Sequence, residues 1–286
     1  MRKIITLICC AVLSGTATGC AAKAEPVRLP ENTVQTSGFT YTCSFDGIQY
    51  EYTLDLPEQT DDAPLILMLH GYGDTAQGFR TSSHLQKEAN AAGYAVAYAG
   101  GGLGWNCGLE AEGNPDTDFL VGLAHDLQAK YGLDAKRTYA VGFSNGACMV
   151  HRLAMEAGDT FSACVSVEGM MPERIWNARG AQKAVSFFQI TGEKDTVVPK
   201  HSDGTADHTP APAIEDVLAY FAEAGGLTQT AQSEIGNGST LKKYTKPGSS
   251  AQVWELLIAG GGHTWQSRSS GIDTNTLILE FLETQA

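Results

Sequence analysis

The stretch Arg137-Thr-Tyr-Ala-Val-Gly-Phe-Ser-Asn-Gly146-Ala-Cys-Met-Val-His-Arg-Leu-Ala-Met-Glu156 decides how this chain folds. Its first part, up to Phe143, is β-branched and aromatic and reads as a buried strand. The part from Ala147 to Glu156 contains no breaker and reads as a helix. Between them, Gly142-Phe143-Ser144-Asn145-Gly146 is a G-x-S-x-G turn. Such a turn is so sharp that side chains two before and two after the serine would collide, and glycine at 142 and 146 removes the collision. The helix start also offers free N–H groups and partial positive charge to any anion formed there. A plain Gly/Ser/Asn turn would account for the five residues alone, but not for their flanks or for the partners found elsewhere.

Working outward, strands and helices alternate. Phe39–Phe45 and Ile48–Leu56 read as strands joined by the two-residue turn Asp46-Gly47. Leu65-Ile-Leu-Met-Leu-His70 is a wholly apolar run, as in a central buried strand. A helix over 81–92 closed by Gly93, a strand over 94–99, and a helix over 118–131 capped by Asp116 or Thr117 follow. Beyond the serine turn come strands over 163–168 and 185–190, a helix opened by Pro212 and running to 224, a hairpin over 230–245, a strand over 253–259 and a helix over 273–284. The expectation is one α/β domain over 38–286, with a mostly parallel central sheet and helices on both faces.

In such sheets the working residues lie beyond the carboxyl ends of the strands. Ser144 is the candidate nucleophile, and its hydroxyl needs a base within hydrogen-bond reach. His263 follows the last strand after Gly260-Gly-Gly262, and Asp195 follows the preceding strand, placed to orient the imidazole and stabilise its charged form. Either residue alone would read as a loop or turn former; together their chain order, Ser then Asp then His, is that of the α/β-hydrolases. Asp203, Asp207 and Asp216 compete for the acid's place from farther along the loop. The backbone N–H groups of Asn145 and Tyr72 are the candidate oxyanion donors, with His70 read as a structural hydrogen-bonding residue. Trp105 and Trp265 flank the expected cleft and are candidate substrate-binding residues. Gly100–Gly104 lacks the helix a nucleotide loop needs, and His201, Asp203, Asp207 and His208 lack the spacing of a metal site. No cofactor and no metal are expected.

A net charge of −13, which falls to about −15 if Arg2 and Lys3 leave with a leader, argues against nucleic acid as a partner. Met1-Arg-Lys3 followed by a largely apolar stretch of ten, Ile4–Leu13, reads as a signal peptide over 1–19, its apolar part too short to span a bilayer. Ala17-Thr-Gly-Cys20 resembles a bacterial lipobox, departing from it at Ala17, and makes Cys20 the expected lipidation site, with a tether over 20–37 and a membrane anchor. Of the other cysteines, Cys43, Cys107, Cys148 and Cys164 lie in the domain, where three disulfide pairings are open and Cys107 with Cys148 is favoured.

The chain resembles the polyhydroxybutyrate depolymerase-like and feruloyl esterase-like enzymes of carbohydrate esterase family one. The resemblance rests on Leu69-His-Gly71, Gly104-Trp-Asn106, Asp118-Phe119, Tyr139–Gly146, Gly192 with Asp195-Thr-Val-Val-Pro199, and Gly260-Gly-Gly-His-Thr-Trp265. It implies Ser144, Asp195 and His263 as the triad and the loop after His70 as the oxyanion turn. Gln266, where the family usually has proline, and the polar loop over 200–210 bear on the substrate rather than the chemistry. The expected substrate is a feruloyl or acetyl ester on plant polysaccharide, with hydroxyalkanoate polyester second. A non-catalytic glycan-binding lipoprotein and a peptidase are the rival readings.

Overall fold

The computed structural model describes residues 26–110, 113–180, 184–204, 210–266 and 271–285. The leader, Cys20, Asp207 and His208 lie outside the described residues, so the expectations placed on them do too. In chain order the first elements are β1 (Glu31–Ser37), β2 (Thr40–Phe45), β3 (Ile48–Asp55), β4 (Leu65–Leu69), α1 (Ala76–Ser83), α2 (Leu85–Ala91) and β5 (Ala95–Gly100). They are followed by α3 (Asp116–Tyr131), β6 (Thr138–Phe143), α4 (Asn145–Glu156), β7 (Ala163–Val167), α5 (Glu173–Asn177) and β8 (Ser186–Gly192). The last are α6 (Ile214–Ala224), β9 (Gln229–Ile235), β10 (Ser239–Thr245), β11 (Val253–Ile258) and α7 (Thr274–Glu283).

All the strands join one sheet in the order β1-β2-β3-β5-β4-β6-β7-β8-β11-β10-β9. From β5 through β11 neighbours run parallel, and antiparallel strands extend the sheet on both sides. The continuous apolar run of β4 is explained by burial on both faces. Leu65, Leu67 and Leu69 join the core under α3, α4 and α6, whereas Ile66 and Met68 join the core under α1, α2 and α7. Each such side chain contributes about 1.5–3 kcal/mol by leaving water. From β4 the chain winds to β5 on one side, then crosses to β6 on the other. The carboxyl ends of β4 and β6 therefore flank the crevice where strand order reverses, which is where α/β sheets seat ligands.

Several local expectations are corrected. Residues 31–37, assigned to the tether, form β1 and pair antiparallel with β2. The strand is polar and largely exposed, so it carries no alternating pattern by which to recognise it. The single helix expected over 81–92 is two helices. Thr75 caps α1 by accepting from the Gly78 N–H at 2.9 Å, and His84 in the left-handed region (φ 56°) separates α1 from α2. Asp116 does not cap α3; its buried carboxylate accepts from the Tyr50 hydroxyl at 2.8 Å and the Asn106 N–H at 2.7 Å. The Cys107–Cys148 pair is not bonded: Cys43, Cys107, Cys148 and Cys164 are all free and buried.

The turn at Ser144 leaves no room for side chains. A Cβ on Gly142 would overlap the Gly146 carbonyl, and one on Gly146 would lie 2.6 Å from the His70 oxygen and closer still to that of Leu69. Gly146→Ala is therefore expected to destabilise the fold by about 1–3 kcal/mol or more, read as a lowered urea midpoint. A midpoint equal to wild type would mean that α4 can withdraw from β4 without cost.

Candidate active site

Ser144 sits between β6 and α4 with φ 54° and ψ −118°, a conformation that non-glycine residues rarely adopt. The surroundings enforce it. Its N–H donates to Val167 O at 3.0 Å, and its carbonyl accepts from the Cys148 N–H at 3.0 Å as the first turn of α4. The side chain then projects toward the loop after β11, where its hydroxyl donates to His263 Nε2 at 2.8 Å. His263 Nδ1 donates in turn to Asp195 Oδ2 at 2.7 Å. The three residues named from spacing alone thus form one continuous hydrogen-bonded relay, spanning 119 positions of sequence between Ser144 and His263.

Glycine makes the convergence feasible. A Cβ on Gly192 would lie 2.6 Å from the Gly261 oxygen and 2.7 Å from that of Gly262, so only glycine lets the two loops touch. Where they touch, Lys194 N–H donates to Gly261 O at 2.6 Å, Glu193 N–H to Ile258 O at 3.0 Å, and Gly260 N–H to the Glu193 carboxylate at 2.8 Å. Asp195 Oδ1 accepts from the Val197 and Val198 N–H groups at 2.8 and 2.9 Å. Burial pushes the Asp195 carboxyl upward, but the His263 hydrogen bond, these N–H groups and Glu168 outweigh it, and the group lies below the usual carboxylate range. Asp195 is thereby kept ionised beside the imidazole.

On the other side of Ser144 stands the turn after β4. Neither the Tyr72 nor the Asn145 N–H has a hydrogen-bond acceptor among the described residues. His70 is fully buried and structural. Its Nε2 accepts from the Gly101 N–H at 3.1 Å, so Nδ1 carries the proton and donates to Gly71 O at 2.7 Å. Trp105 Nε1 donates to the His70 carbonyl at 3.1 Å, tying the loop after β5 to the same turn.

That loop forms most of a cavity of about 500 Å³, lined by Tyr72, Leu103, Trp105, Leu109 and Asn145 among others. Trp105 lines the cavity with its ring largely covered. Trp265 does not line it. Its Nε1 donates to Asn275 Oδ1 at 3.0 Å, and its ring stands edge-on to Phe79 and Phe143, bracing the chain that carries His263. An aromatic two residues past a histidine looks the same in sequence whether it faces the cleft or the core. Two contributions escaped the sequence reading. The Asn145 side chain accepts from the Trp105 N–H at 2.6 Å and donates to Trp105 O at 3.4 Å and Cys107 Sγ at 3.5 Å, joining α4 to the cavity loop. Glu168, at the carboxyl end of β7, is buried beside Asp195 and His263. Its place at the end of an apolar strand, like that of Ser144, was the available signal. Of the rival acids, Asp216 lies on α6 and Asp203 in the loop before it.

Residues 50–198 match the family described as Esterase PHB depolymerase. The chain belongs to that family. A protein of Nocardia uniformis subsp. tsuyamanensis named as the esterase NocK is 30% identical over 232 residues, 73% of this chain and 67% of that one. Feruloyl esterase B of Piromyces equi is 25% identical over 224 residues, 74% of this chain but 41% of the relative's length. Among solved structures, the acetyl xylan esterase from Aspergillus awamori superposes with a TM-score of 0.60 at 14% identity, covering 82% of this chain and 94% of that one. The last likeness bears on the fold alone, an α/β-hydrolase fold. Family membership supports carboxylic ester hydrolysis.

Because Asn145 bonds the cavity loop through its side chain, Asn145→Ala should free that loop while leaving its own N–H in place. The expected result is a KM raised about fivefold, from about 1 kcal/mol of lost hydrogen bonding, with kcat little changed in steady-state kinetics on a soluble ester. A kcat loss with constant KM would place the side chain's role at the serine instead.

Proposed function

We propose that the chain is a serine carboxylic ester hydrolase in which Ser144 attacks the ester carbonyl while His263 takes its proton. The observation that carries this reading is the relay from Ser144 through His263 to Asp195 at 2.8 and 2.7 Å. Charge developing on the carbonyl oxygen is met by the Tyr72 N–H in the turn after β4 and by the Asn145 N–H at the amino end of α4. His263 then hands its proton to the departing alcohol, and water repeats the cycle on the acyl-enzyme. Asp195 holds the Nδ1–H tautomer and stabilises the imidazolium that forms. The reaction as written draws on no cofactor. Only the neutral imidazole can act as the base.

For substrate we favour feruloyl or acetyl esters on plant polysaccharide. A cavity of about 500 Å³ with Trp105 in its wall suits an aromatic acyl group, and exposed Tyr72 and Leu103 form an apolar approach to it. Relatives named feruloyl esterase and acetylxylan esterase/xylanase point the same way. The same exposed apolar rim of Tyr72 and Leu103 favours short hydroxyalkanoate polyester as a second reading. We further propose that residues 1–19 direct export and that Cys20 is acylated, leaving the enzyme outside the cytoplasm on a lipid anchor. The basic start, the apolar run and the lipobox-like Ala17–Cys20 support this.

Ser144→Ala or His263→Ala should lower kcat on the order of 10⁶-fold, and a fluorophosphonate should label Ser144 in the wild type. No adduct and no turnover on any ester would favour a glycan-binding protein on this fold. Methyl ferulate, acetylated xylan and hydroxybutyrate oligomers assayed side by side should give the highest kcat/KM on the first or second. The highest value on the oligomers would move the assignment to the polyester.

A further inference from the structure

Glu168 has no part in the mechanism above, yet it occupies a costly position. It follows β7 with φ 52°, in the left-handed region that non-glycine residues rarely adopt. Its side chain is enclosed, the residue being 1% exposed. Oε2 accepts from the Gly192 N–H at 2.8 Å, whereas Oε1 has no donor within reach among the described residues. One oxygen of Glu168, one of Asp195 and one nitrogen of His263 all lie within 4.8 Å of one another. Two buried carboxylates at that separation repel, and the unpaired oxygen adds the cost of burying a naked acceptor. A proton on Oε1 removes both problems, since it turns the orphan acceptor into a donor facing an ionised neighbour.

We propose that Glu168 is a neutral carboxylic acid that donates its proton to Asp195, making it a positioning residue for the relay. This rests on the esterase reading for its consequence in turnover, though not for the protonation itself. Burial, then the neighbouring Asp195, push the Glu168 carboxyl up to about 9, the Gly192 N–H opposing, while Asp195 is shifted the other way. A pair of acids driven apart in this manner divides its roles, one charged and one donating. The titratable groups facing Glu168 are Asp195 on the loop after β8 and His263 on the loop after β11. On α4, His151 is engaged with Gln189, and no Lys or Arg acts on Glu168 among the described residues. Glu168, Asp195 and His263 also resemble a cation-binding set. However, both imidazole nitrogens are committed, Nδ1 to Asp195 and Nε2 to Ser144.

The test compares Glu168→Gln with Glu168→Ala. Glutamine reproduces both halves of the neutral acid, accepting from Gly192 and donating to Asp195, and it cannot ionise. Its kcat near neutral pH should fall within about twofold of wild type, whereas alanine should lower kcat about 10²-fold through a misplaced Asp195, with KM little changed. A raised folded-state pKa gives stability that is complete below the unfolded value and is lost as pH rises through the folded one, about 9. In a Ser144→Ala background, which needs no activity, Glu168→Gln should therefore gain Tm relative to its parent as pH rises from neutral toward about 9. Infrared difference spectra at neutral pH should show a carboxylic acid C=O band that the glutamine variant lacks. A glutamine variant as impaired as alanine, a parallel Tm profile, or a carboxylate band instead would each overturn the proposal. Absent turnover in the wild type with the band present would instead sink the esterase reading and leave the protonation standing.

Discussion

Everything about the site follows from one crowded contact between backbones. The first turn of α4 presses against the end of β4 so closely that the peptide at Gly146 meets the carbonyls of Leu69 and His70. The chain can pass from β6 into α4 at that distance only through the unusual dihedrals at Ser144. The strain is imposed by the packing of two elements on a sheet buried on both faces, and the sheet is large enough to hold it. The reward is a hydroxyl raised clear of the strand, at the start of a helix whose position is set by the core.

The same economy governs the opposite wall. His263 and Asp195 arrive on loops with little secondary structure, yet those loops are stitched to each other through Gly192, Glu193, Lys194 and Gly260–Gly262. The imidazole rests against Phe143, the residue before the serine, with ring centroids 5.1 Å apart. Trp265 braces the following chain against Phe79 and Asn275. Thus the relay is oriented from beneath by core aromatics and from behind by Asp195 and Glu168. Most of the cavity wall comes from a separate loop, after β5, fastened through Asn145 and His70. The relay and the cavity wall are supplied by different segments that meet at α4.

The legible part of the sequence was its punctuation. Glycines at 142, 146 and 260–262, the apolar run of β4 and the chain order of Ser144, Asp195 and His263 each carry a steric or topological demand that few alternatives meet. What stayed hidden depended on side-chain direction or long-range pairing. β1 has no buried face, so its pairing with β2 leaves no periodic trace. Asp116 resembles a helix cap until Tyr50, 66 positions away, draws it inward. Trp265 and Trp105 are alike in sequence, and only the contacts of Trp265 with Phe79 on α1 and Asn275 on α7 hold it away from the cavity that Trp105 lines. Glu168 was counted as the end of a strand because nothing local marks a carboxyl group as buried against another.

An open sheet of this width has to stop at two sides, and the strands where it stops differ from those inside. β1 and β9 present residues such as Asn32, Gln35, Gln232 and Glu234 to solvent. β1 also departs from regular register between Glu31 and Val34 and again between Gln35 and Ser37, with Asn32 in the left-handed region. A ladder interrupted in this way offers a foreign strand no long run of matched donors and acceptors. The polar margins, of which β1 escaped pattern recognition, thus guard the sheet against extension by neighbouring molecules, and the helix-covered centre is free to be as apolar as its packing demands.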